Sequence, residues 1–266
     1  MRNRGVEAAL NVNVVKKGSL TVDLGANITF IKNRLVKLAT PFVDGTKRRE
    51  EGRDFQEYWL YGYAGVDPAI GTALWYTDET KQATTSQIVN AVRYYDGKSA
   101  TPKFFGGFNS DVRYKGFSLQ ALFNYQFGNW IYDSNGRFLH GDASLLPRST
   151  TTWAFERRWT TPGQVSQNPK PIAGNPTGSN SPDQDRHLFD GSYIRLRNVT
   201  LAYSIPNQLI SKLKLRSVNV YIRTTNYWTW TRDKSLYLDP EQSVTGTSAG
   251  ITPVIKSLSF GLDLGL

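Results

Sequence analysis

The feature that most constrains this chain is strict alternation of apolar and polar side chains over unusually long stretches. In residues 19–31, Leu20, Val22, Leu24, Ala26, Ile28 and Phe30 share one parity, and Thr21, Asp23, Gly25, Asn27 and Thr29 the other. The pattern recurs at 116–128, where Phe117, Leu119, Ala121, Phe123, Tyr125 and Phe127 oppose Ser118, Gln120, Asn124 and Gln126. It closes the chain, where Val254, Leu258, Phe260, Leu262, Leu264 and Leu266 oppose Ser257, Ser259, Gly261, Asp263 and Gly265, with Lys256 as one intruder. Period two means extended strands with one apolar face. Strands of soluble proteins typically run to about 5–6 residues, whereas strands crossing a bilayer at a tilt need about 9–11. Each of these segments meets the second length.

Composition agrees. Mean hydropathy is −0.43, and no run approaches the roughly 20 consecutive apolar residues of a spanning helix. A transmembrane β-barrel escapes that test, because its strands show apolar side chains to lipid and polar ones to the lumen. Nine segments are expected as antiparallel strands: 5–15, 19–31, 55–65, 72–78, 103–114, 116–128, 192–205, 216–228 and 254–266. The fourth is short. In 192–205 the phase slips near Arg197 and Asn198, which predicts a bulge. Connections alternate between short (16–18, 67–71, 114–116, 206–215) and long (32–54, 77–102, 129–191, 229–253). Periplasmic turns and extracellular loops alternate in this way. Asn129 to Gly191 would be the largest loop, with a short helix near 149–159 and an irregular Pro/Gly/Asn/Ser-rich stretch at 162–185. Aromatic girdles are expected from Phe127, Trp130, Tyr132, Trp228 and Trp230 outside, and Tyr114, Phe117 and Tyr203 inside.

The formal charge is +10, from 32 Lys+Arg against 22 Asp+Glu. The basic clusters (Lys16–Lys17, Lys32/Arg34/Lys37, Lys47–Arg48–Arg49, Arg157–Arg158, Lys212/Lys214/Arg216) fall in expected turns and loops, not along one face. Solvated loops and anionic lipid headgroups explain them better than nucleic acid, and no nucleic-acid partner is expected. With no cysteine and two histidines, His140 and His187, no metal-ligand spacing arises, and no cofactor is expected. No GxSxG or similar context supports catalysis. Glu156 and Asp185 read as solvated, and Asp67–Pro68 and Asp239–Pro240–Glu241 as turns. The first residues lack a signal-peptide pattern.

Several motifs together carry a resemblance. The runs GVEAALNVNVV, EGRDFQEYWLYGYAGVDPAIGTALWY and PKFFGGFNSDVRYKGFSLQALFNYQFGNWIYD, followed by RRWTTPGQ, GSYIRLRNVTLAYSIP, LDPEQ and TPVIKSLSFGLDLGL, resemble the late-barrel portion of SusC/RagA-type, TonB-dependent outer-membrane transporters. The resemblance implies that residues 1–266 are the C-terminal part of a barrel of about 22 strands, with plug domain, TonB box and signal peptide lying outside this sequence. It further implies a SusD-like surface lipoprotein, the TonB complex and the barrel assembly machinery as partners. It implies a lipid bilayer of the Gram-negative, Bacteroidetes-type outer membrane as surroundings, and a glycan or peptide as substrate. Phe260, Leu262, Leu264 and Leu266 would carry the C-terminal insertion signal, although such barrels usually end in an aromatic residue.

For substrate contact the candidates are Trp130, Tyr132, Trp153, Arg157 and Trp159, since ring faces suit pyranose faces and guanidinium suits carboxylates and hydroxyls. These rings could equally pack the loop onto itself. Two other functions stand beside the importer: a free-standing β-sandwich that binds glycans as a lectin or adhesin, and a truncated remnant without function. A sandwich would bury the apolar strand faces and a barrel would show them to lipid.

Overall fold

The computed structural model describes residues 1–140, 149–213, 215–248 and 252–265. Its main feature is a seven-stranded antiparallel sheet in which each strand pairs with the next in sequence. The strands are β1 (Arg2–Lys17), β2 (Leu20–Arg34), β3 (Phe104–Tyr114), β4 (Phe117–Phe127), β5 (Tyr193–Ser204), β6 (Ser217–Thr231) and β7 (Ser257–Gly265). Register turns the alternation of single strands into two continuous faces. One row reads Val15, Val22, Val112, Leu119, Leu201, Ile222 and Phe260 across all seven strands. The adjoining row reads Asn13, Asp23, Asp111, Gln120, Thr200, Arg223 and Ser259. A one-residue slip in any pair would mix the two.

The apolar face is not covered by a second sheet. Leu24, Leu119 and Leu262 are 45%, 43% and 57% exposed, which excludes the sandwich and fits a wall meant for lipid. The polar face is cross-linked instead. Asn13 donates to Asp23 at 2.7 Å, Gln120 and Arg113 donate to Asp111 at 2.9 and 2.8 Å, and Arg223 donates to Thr200 at 3.0 Å. The expected bulge is present: Arg197 is the extra residue between Leu196 and Asn198, opposite Leu122 and Phe123.

Nine barrel strands were expected and seven are found. Residues 55–65 split into Glu57–Tyr61 and Tyr63–Val66, and 72–78 shortens to Ala73–Tyr76. These ladders belong to small sheets with Arg93–Ser99 and Thr84–Thr85. Their apolar side chains meet each other: Tyr58, Leu60 and Trp75 are buried, within two compact clusters. Period two cannot tell a short buried ladder from a spanning strand, and length was the cue. Residues 35–103 are therefore one excursion between β2 and β3, longer than the 129–191 loop, and the turn 67–71 lies on the long-loop side. Because two expected strands drop out together, the direction of every other strand is unchanged. Short turns (Gly18, Lys115–Gly116, and the connection after β5 that begins with the helix Asn207–Ile210) lie at one end, and β7 runs towards that end.

Aromatic rings band the apolar face at both ends. Phe30, Phe104, Phe127 and Trp230 form a chain with centroids 5.1–6.3 Å apart, and Phe117 meets Tyr203 at 4.5 Å. Trp130 and Tyr132 do not join this band. They lie on the loop strand Trp130–Asp133, Tyr132 within the cluster of Tyr58, Leu60, Ala100 and Leu188 and Trp130 packed against it. Phe260, Leu262 and Leu264 sit on the apolar face of β7, in register with Ile222, Val220 and Val218; Leu266 lies outside the described residues.

The long loops form one body. Trp130–Asp133 pairs antiparallel with Leu188–Asp190 and parallel with Thr247–Ser248, and Tyr58 Oη of the first loop donates to the Gly246 carbonyl at 2.9 Å. Arg195 on the polar face of β5 fastens this body to the wall. It is 1% exposed and donates to Asp239 and Glu241, both at 2.7 Å, and to Thr229 at 3.0 Å. Arg197 also reaches Glu241. The Asp239–Pro240–Glu241 turn thus supplies counter-charge to a buried guanidinium.

Two outcomes are expected in the full-length barrel. Leu24→Arg, Leu119→Arg or Leu262→Arg should each cost roughly 2–4 kcal/mol in folding titrations, if near the bilayer midplane, whereas Thr21→Arg, Gln120→Arg and Ser259→Arg should be mild. Arg195→Ala leaves Asp239 without its cationic partner and Glu241 with Arg197 alone, at a cost of about 3–5 kcal/mol. Hydrogen exchange across 232–248 should accelerate, and Arg195→Lys should restore protection only in part, since an ammonium cannot fork to both acids.

Candidate functional site

The loop body encloses a pocket of about 420 Å³ whose walls include Tyr63, Trp153, Phe189 and Tyr237 together with His140, Arg186 and His187. Three segments build it. The helix Thr152–Glu156, at the position the sequence predicted, is capped by Thr151, whose hydroxyl accepts from the Ala154 N–H at 3.3 Å, and it carries Trp153. The short helix Gly136–Leu139 ends at His140, and a 3₁₀ turn, Asp185–His187, presents Arg186 and His187.

The rings interlock. His140 meets Tyr237 at 4.2 Å and Trp153 at 5.1 Å, edge to face, and Phe189 meets Tyr237 at 5.5 Å. His140 Nδ1 bonds to the Thr151 hydroxyl at 2.9 Å, and the Tyr237 hydroxyl donates to Asp133, which is itself buried. Burial lowers the pKa of both histidines, and for His187 the neighbouring Arg186, His140 and Arg137 add to it, so both rings are neutral at pH 7. Among the described residues, the Nε2 atoms of His140 and His187 are buried without a protein partner. Arg186 is committed, donating to Asn168 at 2.7 Å and to the His140 carbonyl at 3.3 Å. The surface on offer is therefore aromatic with neutral polar edges.

Of the five residues expected at a substrate site, Trp153 lines this pocket, and exposed Arg157 lies 5.0 Å over its ring. Trp159 packs elsewhere: its Nε1 donates to the Pro68 carbonyl at 3.0 Å, and its ring lies so close to Gly71 that a Cβ there would come within 2.4 Å of it. Trp130 and Tyr132 belong to the loop core. Asp185, expected to be solvated, is drawn in to accept the Tyr63 N–H at 2.8 Å, and burial raises its carboxyl. Glu156 is exposed. Sequence reasoning missed Tyr63, Tyr237 and the joint placement of the two histidines. The signal available was that both histidines of the chain fall in one loop, but their distance in sequence hid the fold that joins them. Among the described residues no cluster of three or more metal-ligating side chains occurs.

No family profile matches the chain. Whole-length relatives do. TonB-dependent receptor P3 of Formosa agariphila is 24% identical over 99% of this chain and 28% of its own length. TonB-dependent receptor P26 of the same organism is 22% identical over 99% of this chain and 29% of its own. In solved structures, the RagAB peptide transporter superposes with a TM-score of 0.84 at 25% identity, over 98% of this chain and 29% of that one, and the importer's "open-open" state gives 0.82. The chain thus spans under a third of the proteins it matches. With sequence and architecture agreeing along nearly its whole length, this chain is homologous to part of TonB-dependent receptors of the SusC/RagA type.

Proposed function

We propose that the chain forms part of the wall and outer mouth of a TonB-dependent importer in the outer membrane, taking up an oligosaccharide or peptide. The observation that carries this reading is the apolar face, continuous across seven strands and exposed, combined with loops gathered into one body at one end. A wall of this kind requires lipid on one side, and the polar row on the other side requires a wet lumen. The remaining strands of a 22-strand ring, the plug and the TonB contact would come from the rest of a longer protein, and a SusD-like lipoprotein would cap the loop end. The relatives named above are receptors and transporters rather than enzymes, which fits a site of rings and neutral edges.

Within that reading, the Trp153 pocket is a substrate contact. Its ring supports a flat apolar face, Arg157 flanks it, and the Nε2 atoms of His140 and His187 are left to bond hydroxyl or amide groups. Trp153→Ala in the full-length receptor should weaken uptake of the cognate ligand about tenfold, the order of one aromatic contact. Outer-membrane level should be unchanged, as judged by heat-modifiable electrophoretic mobility. Unchanged uptake would remove the pocket from the transport path. No TonB-dependent uptake of any oligosaccharide or peptide by the intact receptor would defeat the importer reading itself.

The neutral histidines carry a second expectation. Their folded-state pKa values lie below the ordinary 6.5, so the unfolded loop body binds protons that the folded one refuses. Their contribution to stability is full above about pH 6.5 and declines as pH falls below it. Protease resistance of the loop body should therefore fall between about pH 6.5 and 5, and His187→Gln should flatten that dependence. Resistance independent of pH in this window would contradict the assignment.

A further inference from the structure

Alternation sorts lipid from lumen in the wall, but in one loop hairpin it sorts charge. Strands Phe42–Asp44 and Lys47–Arg49 turn at Gly45, whose φ of +58° suits glycine. The turn sends Lys47 and Arg49 inward, 4% and 6% exposed, and leaves Arg48 half-buried. The sequence suggested a solvated basic run at Lys47–Arg48–Arg49, and the fold buries two of its three charges.

Their partners do not balance them. Lys47 Nζ donates to Gln56 Oε1 and to the Thr245 carbonyl, both neutral. Burial, and then the charge of Arg49, pull its pKa down to about 8. Arg49 stacks 3.9 Å over the Phe55 ring and gives Nη2 to Asp44 at 2.6 Å, while its Nε and Nη1 are buried with no partner among the described residues. Unpaired buried guanidinium nitrogens are costly and uncommon. Both cations line a pocket of about 410 Å³, which Arg137 enters from the facing helix Gly136–Leu139. The pocket's other carboxylate, Asp183, is held by Arg93 at 2.7 Å. Positive charge therefore exceeds negative here.

This pocket is distinct from the aromatic one, yet shares its walls. The helix Gly136–Leu139 gives Arg137 to one and leads into His140 of the other. The 232–248 segment gives Thr245 and Thr247 to one and Ser235 and Tyr237 to the other.

We propose that this pocket binds an anionic group of the imported ligand, a carboxylate or a sulfate ester, with Arg49, Arg137 and Lys47 as its counter-charges and the hydroxyls of Thr46 and Thr247 as further donors. Ion-pair hydrogen bonds of this kind are short and about twice as strong as neutral ones. The ligand's identity rests on the importer reading; the existence of the site does not.

The test is calorimetric titration of the full-length receptor in detergent. The probes are matched hexasaccharides (neutral, uronate-bearing and sulfated) and a hexapeptide rich in Asp and Glu. At least one anionic probe should bind about tenfold more tightly than the neutral one, with the gap narrowing as salt rises. The anionic probe that binds most tightly identifies the source of the charge. Arg137→Ala should remove about tenfold from that affinity and leave the neutral probe unchanged. Arg49→Gln should act likewise, and if that variant misfolds by heat-modifiable mobility, the Arg137→Ala result decides. Equal affinity for charged and neutral probes, or an anion preference that survives Arg137→Ala, would overturn the proposal. Anion binding without TonB-dependent uptake would sink the importer reading and leave this site standing; uptake without anion preference would do the reverse.

Discussion

Backbone hydrogen bonding between neighbouring strands is the constraint on which the rest depends. In lipid an unpaired N–H or C=O has no water to turn to and costs several kcal/mol, so each wall strand must be flanked on both sides along its length. The sequence-consecutive pairing from β1 to β7 meets that demand within the arc. It also fixes everything side chains do: once Val22 lies beside Val112, Asp23 lies beside Asp111, and the network on the polar face follows from the apolar face. Even the one irregularity obeys it. The extra residue Arg197 lets Leu196 and Val199, of opposite parity, serve one apolar face.

Legibility in the sequence followed the physics of each region. The wall was readable from Leu20 to Phe30, and again from Phe117 to Phe127, because a residue facing lipid must be apolar whatever its neighbours are. In the loop body no such external rule operates. Tyr58 and Leu60, like Ala73 and Trp75, recur at every second residue as on a lipid-facing strand, yet their surroundings are other loops. Trp130 and Tyr132 follow a spanning strand directly and look like a girdle, but Gly128 bends the chain (φ +80°) into the loop sheet.

The candidate sites were legible only in part, for a related reason. Trp153 announced itself as an aromatic beside arginines in a long loop. Tyr63, Tyr237 and His187 did not, since they meet across segments far apart in sequence. Likewise Asp239 and Glu241 have the composition of a turn. Their role appears only when β5 brings Arg195 beneath them, where a buried guanidinium with two carboxylates satisfies what either sign alone could not.

The hydrogen-bonding between loops has a consequence for how such a surface can diversify. Trp130–Asp133 is sandwiched between Leu188–Asp190 and Thr247–Ser248, and Tyr58 bonds to Gly246 from a third excursion. A transplant of one loop from a related chain would arrive without its cross-chain partners and strip them from the loops left behind. The structural unit is therefore the whole set of excursions together with the short strand pairs that stitch them, while the wall beneath can change in sequence as long as its parity holds.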